Sequence, residues 1–146
     1  MKKNVPKTND ETLRLSTEGC SVLVAEDDGM LRKLLCHGLT RWGFNVVQAE
    51  DGCEALACLQ FRAHPIEVLV TDINMPGING VELAKETRKL LPDVPILVMS
   101  SNFSEEAEEV ILTLPNTSKL EKPFDLVQLR EKLQELLAAS SASLAV

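Results

Sequence analysis

Three acidic residues, one serine and one lysine carry the chemistry this sequence offers, and each stands at the end of a short run that reads as a strand. Glu26 and Asp27 follow Ser21-Val22-Leu23-Val24-Ala25, and Asp72 ends Val68-Leu69-Val70-Thr71. Ser100 follows Pro95-Ile96-Leu97-Val98-Met99, and Lys122 follows a short run at residues 118–121. Carboxylates gathered at one place repel and raise one another's pKa unless a cation lies among them. Mg2+ suits such a donor set, because it takes one or two carboxylates, keeps several waters and accepts phosphate oxygens. On that reading Asp27 and Asp72 ligate the ion and Glu26 holds a coordinated water. Asp72 can also attack phosphorus as a nucleophile and form an acyl phosphate. The Lys122 ammonium and the Ser100 hydroxyl then offset charge on the transferred group. Plainer readings stand beside these: Asp72 caps a turn, Glu26, Asp27 and Ser100 cap helices, and Lys122 is a solvated surface lysine.

The choice between them depends on the elements that hold these residues. Continuous apolar, β-branched runs bounded by turn residues predict strands buried on both faces, as in a parallel sheet. Between them lie helical patterns. Leu31, Leu34, Leu35, Leu39 and Trp42 recur at helical spacing before Gly43, and a second helix covers Cys53 to about Arg62. A third covers 81–91 before Pro92, and a fourth covers 104–113, with Glu105, Glu106, Glu108 and Glu109 in its first turns, where the helix dipole favours negative charge. The last carries Leu126, Leu129, Leu133, Leu136 and Leu137 on one stripe. A βα repeat of this kind gives a parallel sheet covered on both sides. Right-handed crossovers then favour a flavodoxin-like (βα)5 three-layer sandwich with strand order 2-1-3-4-5. In that order the first and third strands adjoin at the switch point where doubly wound sheets bind ligands. Glu26-Asp27 then faces Asp72, and Ser100 and Lys122 lie on the same edge.

The chain of 146 residues fits one domain with a core of its own. The sequence reads as a flexible N-terminal extension at 1–19, a folded domain at 20–138 and a C-terminal tail at 139–146, without internal repeats. With 15 Lys and Arg against 22 Asp and Glu, the formal charge is −7, which argues against nucleic-acid binding. No apolar run reaches the roughly 20 residues needed to cross a bilayer, so no membrane insertion is expected, and residues 1–19 hold no signal-peptide core. The expected location is the cytoplasm. Cys20, Cys36, Cys53 and Cys58 form no CxxC pair and read as free thiols rather than zinc ligands. His37 and His64 have no evident partners.

Four of these motifs together resemble the receiver domain of two-component response regulators, the chemotaxis receiver among them. Val22-Leu23-Val24-Ala25-Glu26-Asp27-Asp28 is similar to the family's acidic pair after the first strand. The segment from Thr71 to Gly80 (Thr-Asp-Ile-Asn-Met-Pro-Gly-Ile-Asn-Gly) is similar to its phosphoacceptor motif. Pro95 to Ser100 and Glu121-Lys122-Pro123-Phe124 are similar to its fourth strand and its lysine motif. The resemblance covers residues 20–138. It implies that Asp72 accepts a phosphoryl group from a histidine kinase or a histidine phosphotransfer protein, and that Glu26, Asp27, Asp72 and the Asn74 backbone carbonyl surround Mg2+. It also implies that Ser100 and Lys122 contact the phosphoryl oxygens, with Ser100 moving as part of a switch. Asn74 and Asn102 fall where the family tunes hydrolysis of the acyl phosphate, and Lys122–Pro123 falls where it typically has a cis bond.

Two departures bear on the output. The position three before the lysine, usually aromatic in receivers that couple a Ser/Thr to a ring, is Lys119, and the chain has no Tyr. Leu114-Pro115-Asn116-Thr117 also lacks the usual small Ala/Gly turn. The expected function is a phospho-accepting receiver, not an enzyme in its own right. A partner protein would read it on the face formed by the fourth helix, fifth strand and last helix, since nothing after residue 138 reads as a DNA-binding unit. Alternatives are a phosphorylation-independent pseudo-receiver that only binds proteins, and a haloacid-dehalogenase-like phosphatase. The phosphatase would need a second Asp where Asn74 stands. A flavodoxin-type FMN binder lacks its phosphate-cradling loop after the first strand.

Overall fold

The structure, a computed structural model, describes residues 17–61 and 65–144, with side chains described as far as residue 139. Residues 1–16 of the expected extension, His64 and the last two residues of the expected tail lie outside the described residues. Among the described residues five strands alternate with the helices that follow them: β1 (Ser21–Ala25), α1 (Gly29–Arg41), β2 (Asn45–Ala49), α2 (Gly52–Phe61), β3 (Val68–Asp72), α3 (Gly80–Leu90), β4 (Ile96–Ser100), α4 (Glu105–Thr113), β5 (Thr117–Glu121) and α5 (Leu126–Leu144). All strand pairs are parallel, in the order β2-β1-β3-β4-β5. The flavodoxin-like order expected from the βα repeat is the observed one.

Burial explains why the strands read as unbroken apolar runs. Every residue of β1, β3 and β4 is buried, because these three strands carry neighbours on both edges and helices on both faces. The pleat divides their side chains between two cores. Val22, Val24, Val68, Val70, Leu97 and Met99 pack with Leu35 and Leu39 of α1 and Leu129 and Leu133 of α5. Leu23, Ala25, Leu69, Ile96 and Val98 pack with Leu83 of α3 and Ile111 of α4. β2 and β5, at the edges, keep partly exposed residues.

Local chemistry starts the helices. Asp28, rather than Glu26 or Asp27, caps α1, its carboxylate accepting from the backbone N–H of Met30 at 3.0 Å and of Leu31 at 3.3 Å. Asn79 caps α3 in the same way, and Ser104, not Ser100, caps α4 through the Ala107 N–H. Two limits differ from the sequence reading. The Thr17 hydroxyl is buried and donates to the Trp42 carbonyl at 2.6 Å, so tertiary packing reaches three residues into the segment expected to be flexible. The last helix continues to Leu144 instead of stopping at 138. Its final Ala- and Ser-rich turns lack the leucine stripe that marks the earlier ones, but they contain no breaker.

Candidate functional site

The β1–β3 register pairs Ala25 with Thr71, so the next residues on the two strands, Glu26 and Asp72, leave the sheet side by side. Both are buried, and Asp27 is exposed at the mouth. One carboxylate oxygen from each of the three lies within 4.8 Å of the other two. Lys122, just past β5, reaches across the edge: its Nζ donates to Glu26 Oε1 at 2.7 Å and lies 3.3 Å from Asp72 Oδ1. The Lys122 backbone N–H donates to the Ser100 carbonyl at 2.9 Å, and the Lys122–Pro123 peptide is cis.

Burial and these neighbours act on Glu26 and Lys122. Burial pushes Glu26 up to a pKa of about 7; the charge of Asp72 adds to the rise, and the Lys122 hydrogen bond opposes it. Burial works against the Lys122 ammonium, but the hydrogen bond to Glu26 and the charge of Asp72 outweigh it and raise the lysine's pKa. With all groups ionised, three carboxylates face one ammonium, a deficit of two positive charges. Converging oxygen donors with uncompensated negative charge fit a hard divalent cation.

The remaining residues singled out by sequence are placed less directly. Asn74 is exposed in the turn that leaves β3. Ser100 is fully buried at the end of β4, where its hydroxyl donates to the Asn102 carbonyl at 2.9 Å and accepts from the Asn102 N–H at 3.2 Å. Lys119, in the middle of β5, meets α4: its ammonium forms an ion pair with Glu108 and stands 5.2 Å from the Phe103 ring centre. Asn116 takes a left-handed conformation, φ 52°, in the turn that lacks the small residues of the family pattern. Asn adopts that region more readily than most residues, so the turn is closed by other means.

Three residues support the site in ways their place in the sequence does not reveal. Arg32 donates from Nη1 to the Glu26 carbonyl at 2.8 Å and reaches Glu50 at 3.5 Å, fastening the acidic turn to the end of β2. Gly80 backs directly onto Asp72: a Cβ there would stand 2.0 Å from the Asp72 carbonyl oxygen. Gly52 meets the same loop, with a Cβ position 2.0 Å from the Ile78 carbonyl oxygen. Neither approach leaves room for a side chain.

A doubly wound sheet in this order, with acidic residues and a lysine meeting at its carboxyl edge, is the receiver fold of the chemotaxis protein CheY. The chain belongs to the response regulator receiver domain family, whose pattern matches residues 22–134. It is 34% identical over 123 residues to a chemotaxis protein CheY homolog of Campylobacter jejuni, covering 82% of this chain and 94% of that one. It is 33% identical over 120 residues to the response regulator receiver protein CpdR of Brucella abortus, covering 82% and 98%. To response regulator RR06 of Streptococcus pneumoniae it is 33% identical over 117 residues, but it spans only about half (52%) of that protein's length. Among solved structures, Vibrio cholerae CheY4 superposes with a TM-score of 0.72 at 32% identity, over 81% of this chain and 98% of that one. The receiver domain of the hybrid histidine kinase CckA gives 0.67 at 30%, over 80% and 98%. Receiver domains are signalling domains of two-component systems, phosphorylated by histidine kinases. Among the described residues no helix is long and apolar enough to cross a membrane.

Proposed function

We propose that this chain is a phospho-accepting receiver in which Asp72 takes the phosphoryl group. The observation that carries this reading is a nearly buried Asp72 at the switch point, with the Lys122 ammonium 3.3 Å away and the oxygens of Glu26 and Asp27 beside it. An Asp72 carboxylate oxygen attacks phosphorus. The bond from phosphorus to the imidazole nitrogen of a phosphohistidine breaks, and that nitrogen leaves with the electron pair. Glu26, Asp27, Asp72 and the Asn74 backbone carbonyl would hold Mg2+, which when bound offsets negative charge on the phosphoryl oxygens. Lys122 supplies a second positive charge at the acceptor oxygen, and Ser100 a hydrogen bond to the transferred group. Slow hydrolysis then returns Asp72 to its free form, at a rate set in part by Asn74 and Asn102. Asn74 in place of a second Asp leaves a haloacid-dehalogenase-type cycle without its general acid.

The donor is a histidine kinase or a histidine phosphotransfer protein in the cytoplasm, and the output passes to a protein partner on the α4–β5–α5 face. Glu105, Glu109 and Leu112 lie one turn apart on the outer side of α4, and Leu112 is 85% exposed. That stripe suits a basic partner segment with an apolar anchor. Incubation with a phosphorylated histidine phosphotransfer domain and Mg2+ tests the reading. Loss of label from the donor and its gain on wild type but not on Asp72→Asn is the expected result, and label retained by the donor would overturn it.

A further inference from the structure

Resting on the phosphoacceptor reading, we infer that Lys119 is the group through which the state of Asp72 reaches α4, in the place where related receivers use an aromatic ring. The connection starts with one proton. A serine hydroxyl donates a single hydrogen bond, and that of Ser100 is given to the Asn102 carbonyl. A phosphoryl oxygen on Asp72 that accepts from Ser100 therefore takes this proton away from Asn102. The Asn102 N–H, which donates to the same hydroxyl, loses its present geometry as well.

Asn102 is followed at once by two residues that anchor the start of α4. Phe103 is half-buried against the core beneath α3 and α4, and its ring lies under the Lys119 ammonium at 5.2 Å. Ser104 caps α4, its hydroxyl accepting from the Ala107 N–H at 3.1 Å. The Glu108 N–H, one residue on, donates to the Ser104 carbonyl at 3.0 Å, and the Glu108 carboxylate is the ion-pair partner of Lys119. Lys119 thus clasps both ends of a segment whose other anchor is the Ser100 hydroxyl. While Ser100 bonds Asn102, the charge of Lys119 is committed to Glu108 and Phe103. Once Ser100 turns to the phosphoryl group, the turn at 101–104 shifts, Phe103 leaves the ammonium and the start of α4 loosens. Glu108 then joins the acidic stripe presented to a partner.

Amide hydrogen exchange at Ala107 and Glu108, read together with intact mass, tests this in wild type, Lys119→Met and Ser100→Ala. In wild type, one phosphoryl group is expected to speed exchange at these amides by about fivefold or more. Lys119→Met takes up the group like wild type but exchanges fast beforehand, so loading adds less than about twofold. Ser100→Ala exchanges fast with no phosphate present. Wild type that gains one phosphoryl mass with exchange unchanged overturns the inference and leaves the acceptor reading standing. So does Lys119→Met that keeps the full wild-type response. Absence of the mass gain overturns the acceptor reading, and the Ser100→Ala protein then decides the coupling by itself: slow exchange there removes it too.

Discussion

Two lysines three residues apart, one in the middle of β5 and one just past its end, have opposite surroundings. Lys122 is 21% exposed at its side chain and bonds a carboxylate, Glu26, that is 1% exposed, with Asp72 beside it. Lys119 and its partner Glu108 are each 42% exposed. Coulomb attraction between the outer pair is weakened by water and salt, whereas the inner lysine balances charges that have little other solvation. The inner lysine is part of the site's charge balance, so removing it leaves a cost behind. The outer lysine contributes little to stability and is free to change partners, which is what a readout group requires.

Four substitutions measure that contrast, and the largest effect belongs to the frame around the inner lysine. Gly80→Ala drives a Cβ to within 2.0 Å of the Asp72 carbonyl oxygen, and either the helix or the acid must move. A loss of about 3 kcal/mol in urea unfolding is expected, at the upper end of overpacking costs. Lys122→Met comes next. It strands Glu26 and Asp72 without a counter-charge and should cost about 2 kcal/mol at pH 8, below the range for fully buried pairs because the lysine is partly exposed. The penalty shrinks at pH 5.5, where Glu26 can hold a proton.

Glu26 gives an effect spread over pH rather than fixed at one value. Its pKa in the folded, metal-free protein is raised to about 7, above the usual carboxylate value. A raised folded pKa contributes stability that is complete below the unfolded value and is lost as pH rises through the folded one. Stability of the metal-free protein should therefore fall between pH 4.5 and 7, by up to roughly 3 kcal/mol from this group. Glu26→Gln should flatten that slope in thermal unfolding. Because ligation needs the ionised acid, Mg2+ should bind more tightly as pH rises through the same interval, and EDTA should restore the metal-free slope. Lys119→Met is the smallest: below about 1 kcal/mol, and smaller still at 0.5 M salt. A cost as large as that of Lys122→Met would erase the distinction between the two lysines.

Much of the inner site was legible from residue order alone. A βα repeat confines the topology, the topology sets β1 beside β3, and the ends of apolar runs then bring Glu26, Asp27, Asp72 and Lys122 to one edge. That inference needs only strand positions, which the buried runs of β1, β3 and β4 report clearly; β5, with Leu120 alone buried, is placed by its turn in the βα repeat. Contacts that depend on distances between side chains were not legible. Nothing in the spacing of Asn79-Gly80 says that the Asp72 carbonyl lies against the glycine. Arg32 reads as one more polar residue on α1 until its guanidinium is seen on the Glu26 carbonyl. Lys119 was visible as a departure from the receiver pattern, but its partners were not, because Phe103 and Glu108 meet it only across the α4–β5 packing. The end of α5 shows the same limit from another side: a helix past its apolar stripe has propensity but no periodic signal.

Intact mass decides whether Asp72 is the acceptor. Wild type and Asp72→Asn are incubated with a small acyl-phosphate donor and Mg2+, with and without EDTA. A gain of one phosphoryl group is expected on wild type, lost in the variant and lost when EDTA removes the ion. An adduct that persists in Asp72→Asn, or a wild type that stays unmodified with this donor and with phosphohistidine, would contradict that assignment.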